Sequence, residues 1–299
     1  MASEVAPKIL GIGCGGAGLN ILQAAARVTR ISSLVGFNSE SRHGIPKSIV
    51  STTTSVRGLA HSSPEVLRST TLSPGKELRE VIGQANFVVG WAGLGGDFGG
   101  AGIRLVARLC QVQRALHLSI VTLPFGTESP NRRGKAQEDL KALVAESSVL
   151  ALGNDGLTEL APNLAFSQAF RVLDHFMVKP VEYLAQGLGT PDLSKLRGIF
   201  VPGLLWYLGS GDGSGYSAEE VAVREALRSP WLKDRTGAQD VLLLVAAREP
   251  HPVTTKQVAD QLEEQLHPKA VYPISLEDPN VEGVRAMLLV SYPSTDLPK

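Results

Sequence analysis

Only two cysteines, Cys14 and Cys110, occur in 299 residues. Their separation matches no metal-ligand spacing, and a single pair offers little disulfide framework. Charge of one sign is missing too: Lys plus Arg and Asp plus Glu number 29 each, so no net field favours nucleic acid or an acidic membrane surface. No run approaches the roughly 20 apolar residues of a membrane span. The N-terminal MASEVAPKILGIG has no basic stretch followed by an apolar segment, so no signal peptide is expected. The six histidines (His43, His61, His117, His175, His251 and His267) are scattered without ligand spacing, and no metal site is expected. These absences leave a soluble globular protein of a reducing cytoplasm, long enough for one large α/β unit or two modest domains.

Glycine, by contrast, is clustered. Gly11–Asn20 reads GIGCGGAGLN and Ala92–Gly102 reads AGLGGDFGGAG, each after an apolar, strand-like run. Such loops let backbone N–H groups approach an anion more closely than any Cβ allows. Two of them suggest one phosphate-bearing ligand held from both sides. Asp97 complicates this, because two unit charges about 4 Å apart repel by about 4 kcal/mol at an effective dielectric of 20. Its carboxylate faces away, ligates a cation shared with phosphate, or marks a site that no longer takes triphosphate. Cys14, at a helix N-terminus, is either a favoured thiolate or a small residue in a tight turn.

Strand-like and helical segments alternate through the first half. Strands are expected at 8–12, 34–37, 86–90, 116–123 and 149–152, and helices at 19–28, 78–84, 103–113 and 134–145. This is the pattern of a doubly wound parallel sheet, whose ligands sit beyond the carboxyl ends of the strands. Residues 164–184 read as one long apolar helix that Pro180 should kink. Beyond it, Ser217-Ala218-Glu219-Glu220 reads as a capping box opening a helix that stops near Pro230. Strands at 241–247, 270–276 and 284–292 with a helix at 255–266 make a smaller α/β domain with a mixed sheet. Domains are therefore expected at 1–162 and 189–299, joined by a central helix at 163–188.

Taken alone, Gly13, Gly15 and Gly18 with Glu40 after the next strand fit a dinucleotide fingerprint, in which the acid bonds a ribose hydroxyl. An NAD(P)-type oxidoreductase is one reading of that loop. It leaves the second loop and the second domain without a role.

Several segments in order are similar to the tubulin/FtsZ superfamily of filament-forming GTPases, over nearly the whole chain. Ile12–Asn20 resembles its first phosphate and nucleoside loop, Phe37-Asn38-Ser39-Glu40 its Asn-Thr-Asp, and Arg57-Gly58-Leu59 with Pro64-Glu65 a later phosphate loop. Ala92–Gly102 stands at the tubulin signature loop. Val121–Phe125 with Glu128 and Arg132 resembles the Val-Thr-x-Pro-Phe segment, and Gly153-Asn154-Asp155 the Pro-Asn-Asp before the central helix. The resemblance implies a tubulin/FtsZ-like α/β fold, GTP or GDP as ligand with Mg2+ if triphosphate binds, and head-to-tail self-association into cytoplasmic filaments of the cell-division type. Related FtsZ-like filaments are a further implied partner; nucleic acid and direct membrane insertion are not. The chain stops soon after its last strand, so the family's adaptor-binding tail is not expected.

The nucleotide-binding residues so implied are Gly13, Cys14, Gly15, Gly16, Gly18, Asn20, Asn38 and Glu40 in the first part of the chain. Ala92, Gly93, Gly95, Gly96, Asp97, Phe98, Gly99 and Gly100 follow in the second loop, then Pro124, Glu128, Arg132, Asn154, Phe166 and Phe170. Phe166 takes the base-stacking place, and Phe170 stands where the family reads guanine with Asn or Asp. A phenyl ring makes no such hydrogen bonds, so guanine preference loses its support. Position favours Arg132 over Arg133 as the phosphate-side cation. The family's catalytic loop, Asn-x-Asp-x-x-Asp, is here Thr190-Pro191-Asp192-Leu193-Ser194-Lys195. Asp192 survives, but Lys195, a cation at its usual pKa, is no general base. The expectation is a filament protein with a degenerate GTP site and weak or absent hydrolysis; an active GTPase with a variant loop is the alternative.

Overall fold

The computed structural model describes residues 7–28, 30–37, 76–160, 162–163, 165–188, 190–232 and 236–294. Asn38, Glu40, the Arg57–Glu65 segment, His43 and His61 lie outside them. The chain forms two compact units, residues 1–149 with 153–203, and residues 150–152 with 204–299. The long helix and the helix after it thus group with the first unit, rather than standing apart from it at 163.

In the first unit, β1 (Ile9–Cys14) pairs in parallel with β2 (Ser33–Phe37) on one side and with β3 (Phe87–Gly93) on the other. Beyond β3, β4 (Leu116–Leu123) also runs parallel, giving the order β2-β1-β3-β4. Every residue of β1 and β4 is buried, as in a parallel sheet covered on both faces. The crossovers are α1 (Gly15–Ala25), α2 (Lys76–Gly83) and α3 (Gly99–Gln113). After β4 come α4 (Pro130–Val144), β5 (Ser148–Gly153), whose residues 150–152 group with the second unit, and α5 (Gly156–Leu160). The unit ends with α6 (Phe166–Gly187), which contains Pro180, and α7 (Thr190–Ile199). Trp91 of β3 is fully buried and its indole N–H donates to the Met177 carbonyl of α6 at 3.0 Å.

His117 is buried on β4, where Ser147 Oγ lies 3.1 Å from its Nδ1. Burial pushes its pKa down to about 3 and keeps it neutral, a satisfied core histidine.

In the second unit the sheet order is β6-β9-β7-β8, from β6 (Leu204–Gly213), β7 (Asp240–Ala247), β8 (Ala270–Glu277) and β9 (Val284–Pro293). β9 runs antiparallel to both β6 and β7, whereas β7 and β8 are parallel, so the sheet is mixed as expected. Its helices are α8 (Ala218–Leu227) and α9 (Pro252–Leu266). The expected capping box does not form: Ser217 sits at the N-cap with no side-chain hydrogen bond, and only the first-turn acids Glu219 and Glu220 remain to favour that helix end. β6 has no counterpart in the expected strands, because Gly209, Gly211 and Gly213 make half of it read as a turn. Those glycines share one face, and a Cβ on each would run into the backbone carbonyl of Ala226, Ala222 and Ala218. Alternate glycines let α8 lie directly on the strand.

A contrast in the first unit tests this reading of close contacts. Gly18→Ala would place a Cβ on the Trp91 carbonyl and 2.8 Å from the Gly13 carbonyl carbon. It is expected to destabilise the fold by about 1–3 kcal/mol. Gly134→Ala, in the exposed middle of α4 with nothing within 4 Å, is expected to stabilise by about 0.5–1 kcal/mol. Thermal unfolding followed by circular dichroism checks both signs.

Candidate functional site

The two glycine loops pack against each other. A Cβ on Gly99 would meet the Gly93 carbonyl, one on Gly13 the Gly18 carbonyl, and one on Gly15 would lie 3.2 Å from the Gly99 backbone. Gly15 also has a φ of +70°, a conformation that side chains resist. This contact brings the N-termini of α1 and α3 to one place, and neither helix carries an acid in its first turn. Their unpaired N–H groups open on a cleft of about 720 Å³.

Thirteen of the expected residues line that cleft: Gly15, Gly16 and Asn20 from the first loop, Gly93, Gly96, Asp97, Phe98 and Gly99 from the second, and Pro124, Glu128, Arg132, Asn154 and Phe170 beyond. Gly13, Cys14, Gly18, Ala92, Gly95 and Gly100 do not line it; they build its frame. Cys14 is buried, and burial raises its thiol well above the usual range, so the thiolate reading falls away. Gly95, with a φ of +80°, backs onto the Arg132 carbonyl. Gly100 lies against the Asp139 carboxyl. Phe166 is the first residue of α6. Ala17, Leu94, Thr122, Phe125 and Thr127 also line the cleft without having been singled out individually. Thr122 and Phe125 were legible as members of the Val121–Phe125 segment.

The polar groups are mostly pre-engaged. Glu128 accepts from the Phe125 N–H at 2.8 Å and pairs with Arg132 at 3.0 Å. Asp155 accepts from the Gly126 N–H at 3.0 Å. Asp97 faces solvent and pairs with Lys135 of α4 at 3.3 Å. Asn154 differs: it is buried, it lines the cleft, and its Oδ1 has no hydrogen-bond partner among the described residues. A buried polar atom without a partner costs about 1–3 kcal/mol, which a donor on a ligand would recover.

Phe170 stands at the mouth, its ring edge-on to Phe125 with centroids 6.2 Å apart. One helical turn further on α6, Asp174 lines an adjoining groove that also includes Asn20 and Phe170. Desolvation alone raises the Asp174 pKa to about 6. Phe170 and Asp174 thus stand one turn apart on α6, Phe170 lining both the cleft and the groove and Asp174 lining the groove.

The segment that the resemblance matches to a catalytic loop forms the start of a helix. Thr190 and Asp192 lie in the first turn of α7, and Lys195 is exposed one turn on and does not line the cleft. Leu193 and Leu196 are buried and hold that helix to the unit.

No family model matches the chain. It is 27% identical over 306 residues to cell division protein FtsZ 1 of Pyrococcus abyssi, covering 97% of this chain and 82% of that protein. With the FtsZ 1 of Halobacterium salinarum the identity is 28%, covering 96% and 77%. Among solved structures, an FtsZ dimer of M. jannaschii superposes with a TM-score of 0.78 at 24% identity, covering 97% of this chain and 89% of that one. The chain is a divergent FtsZ/tubulin-like protein. A CetZ2 protofilament of Haloferax volcanii, bound to GTPγS, shares the fold of this FtsZ-like chain at a TM-score of 0.72 and 18% identity, covering 95% and 92%.

The raised Asp174 pKa sets a pH dependence. A carboxyl whose folded pKa lies above its ordinary value of 3.8 binds its proton more tightly when folded, so its ionised form burdens the fold above about pH 6. Asp174→Asn is expected to raise the thermal midpoint at pH 8, with the gain shrinking as the pH falls through 6 towards 4. Thermal melts across that range read it directly.

Proposed function

We propose that the chain is a cytoplasmic cytoskeletal protein that binds a guanine nucleotide in the first unit and self-associates head to tail into filaments, with weak or absent hydrolysis. One observation carries the nucleotide reading: two helix N-termini, locked together by glycine, face a cleft that also holds the partnerless Asn154 Oδ1. The backbone of Gly15, Gly16, Gly96 and Gly99 would hold the phosphates, and Asn154 would accept from the ribose hydroxyls. Phe170 would stack on the base. Asp174, one turn on, would accept from the N1–H and exocyclic amine of guanine, which restores the preference that Phe170 alone could not give. The bound nucleotide would supply charge and a hydrolysable anhydride.

The filament reading rests on the similarity to FtsZ, to the CetZ2 protofilament and to a two-stranded TubZ filament. Weak hydrolysis rests on Lys195, an exposed lysine where the family resemblance implies an acid, with Asp192 alone kept. An acid there would polarise the attacking water, and an ammonium group does not accept its proton.

Electron microscopy with and without GTP, beside quantified co-purified nucleotide and phosphate release, tests the whole. Filaments with little phosphate release are expected. Brisk release that rises with protein concentration overturns the weak-hydrolysis reading, and absence of filaments by microscopy and light scattering overturns self-association. For the base, Asp174→Ala is expected to weaken GDP binding by about tenfold or more and to erase discrimination against ADP, measured by calorimetry.

A further inference from the structure

We infer that Asp97 makes the cleft select a nucleoside diphosphate over the corresponding triphosphate; this rests on the nucleotide reading above. Asp97 lines the cleft between Gly96 and Gly99, in the segment that leads directly into the N-terminus of α3. That is where backbone N–H groups would otherwise receive the last phosphate of a chain held from the first loop outward. Instead the protein supplies its own anion.

The carboxylate is held there from α4. Lys135 Nζ lies 3.3 Å from Asp97 Oδ1. The loop itself is seated on the same helix, because Gly95 backs onto the Arg132 carbonyl with a φ of +80° and leaves no room for a Cβ. A second carboxyl from α4, that of Asp139, lies against Gly100 in the first turn of α3, where a Cβ would collide with it. Asp97 and Asp139 therefore both place carboxyl groups around the helix end that a terminal phosphate would need.

The nearby cations do not offset this. Arg132 is the one cationic side chain among the described lining residues, and Glu128 already holds it at 3.0 Å. Lys135 is matched to Asp97. A diphosphate can be served by the backbone of Gly15, Gly16 and Gly99. A third phosphate adds charge next to Asp97 with no unpaired lining cation among the described residues to meet it.

Calorimetric titration of the full chain with GDP and with GTP, in EDTA so that no divalent cation bridges carboxylate and phosphate, tests the inference. The wild-type chain is expected to bind GDP at least about tenfold more tightly than GTP, and Asp97→Asn to bring the two affinities within about threefold of each other. The variant keeps the side-chain shape at a position whose side chain is 92% exposed, so the fold is retained. Equal or tighter GTP binding by the wild-type chain overturns the inference. So does an Asp97→Asn variant that binds both nucleotides with the wild-type ratio. If neither GDP nor GTP binds the wild-type chain or the variant, the nucleotide reading itself is overturned, and this inference with it.

Discussion

Backbone touching backbone at the two glycine loops is the constraint on which the rest of the first unit depends. Gly13 against Gly18, Gly18 against Trp91 and Gly99 against Gly93 leave no space for even one methyl group. The contact sets the distance of α1 from β1 and β3, and of α3 from β3. From that spacing follow the shared opening of the two helix ends and the cleft between them. It also explains why six of the expected residues build the frame rather than line the cleft. A glycine motif read as a set of contacts to phosphate is, in good part, a set of contacts between strands and helices.

Much of this was legible in sequence, and what was not has specific causes. The alternation of apolar runs and helical periods located the parallel sheet, because β1 and β4 are buried throughout and β3 nearly so, and each reads as a continuous apolar segment. β6 escaped because glycine alternates along it to admit α8, and glycine carries no strand signal of its own. Residues 190–195 match a loop by resemblance alone, yet residues 190–199 are helical, with Leu193 and Leu196 buried. Of the two phenylalanines expected at the base side, Phe170 lines the cleft; both stand on α6 one turn apart, and sequence spacing alone does not rank them.

Charge divides the site in a way composition could not reveal. The chain as a whole is neutral, but carboxylates gather around the cleft: Glu128 and Asp155 anchor backbone N–H groups, Asp97 faces solvent at the rim, and Asp174 sits half-buried without a cationic contribution to its pKa. The first pair stiffens the loop after β4. The other two face outward into space a ligand would share. The same residue type thus does structural work on one side and stands open to solvent or a groove on the other, and hydrogen bonding to the backbone separates the two settings.

Trp91 gives the molecule one further property. Tryptophan occurs only at 91, 206 and 231, and the latter two belong to the second unit. The Trp91 indole is sealed from solvent and tied to the Met177 carbonyl, on the helix that carries Phe170 and Asp174 a turn or two earlier. Its emission therefore reports from the seam between the central strand and that helix. With phenylalanine at 206 and 231, the chain would carry its own optical gauge of whether the base-side wall stays docked, with no dye attached.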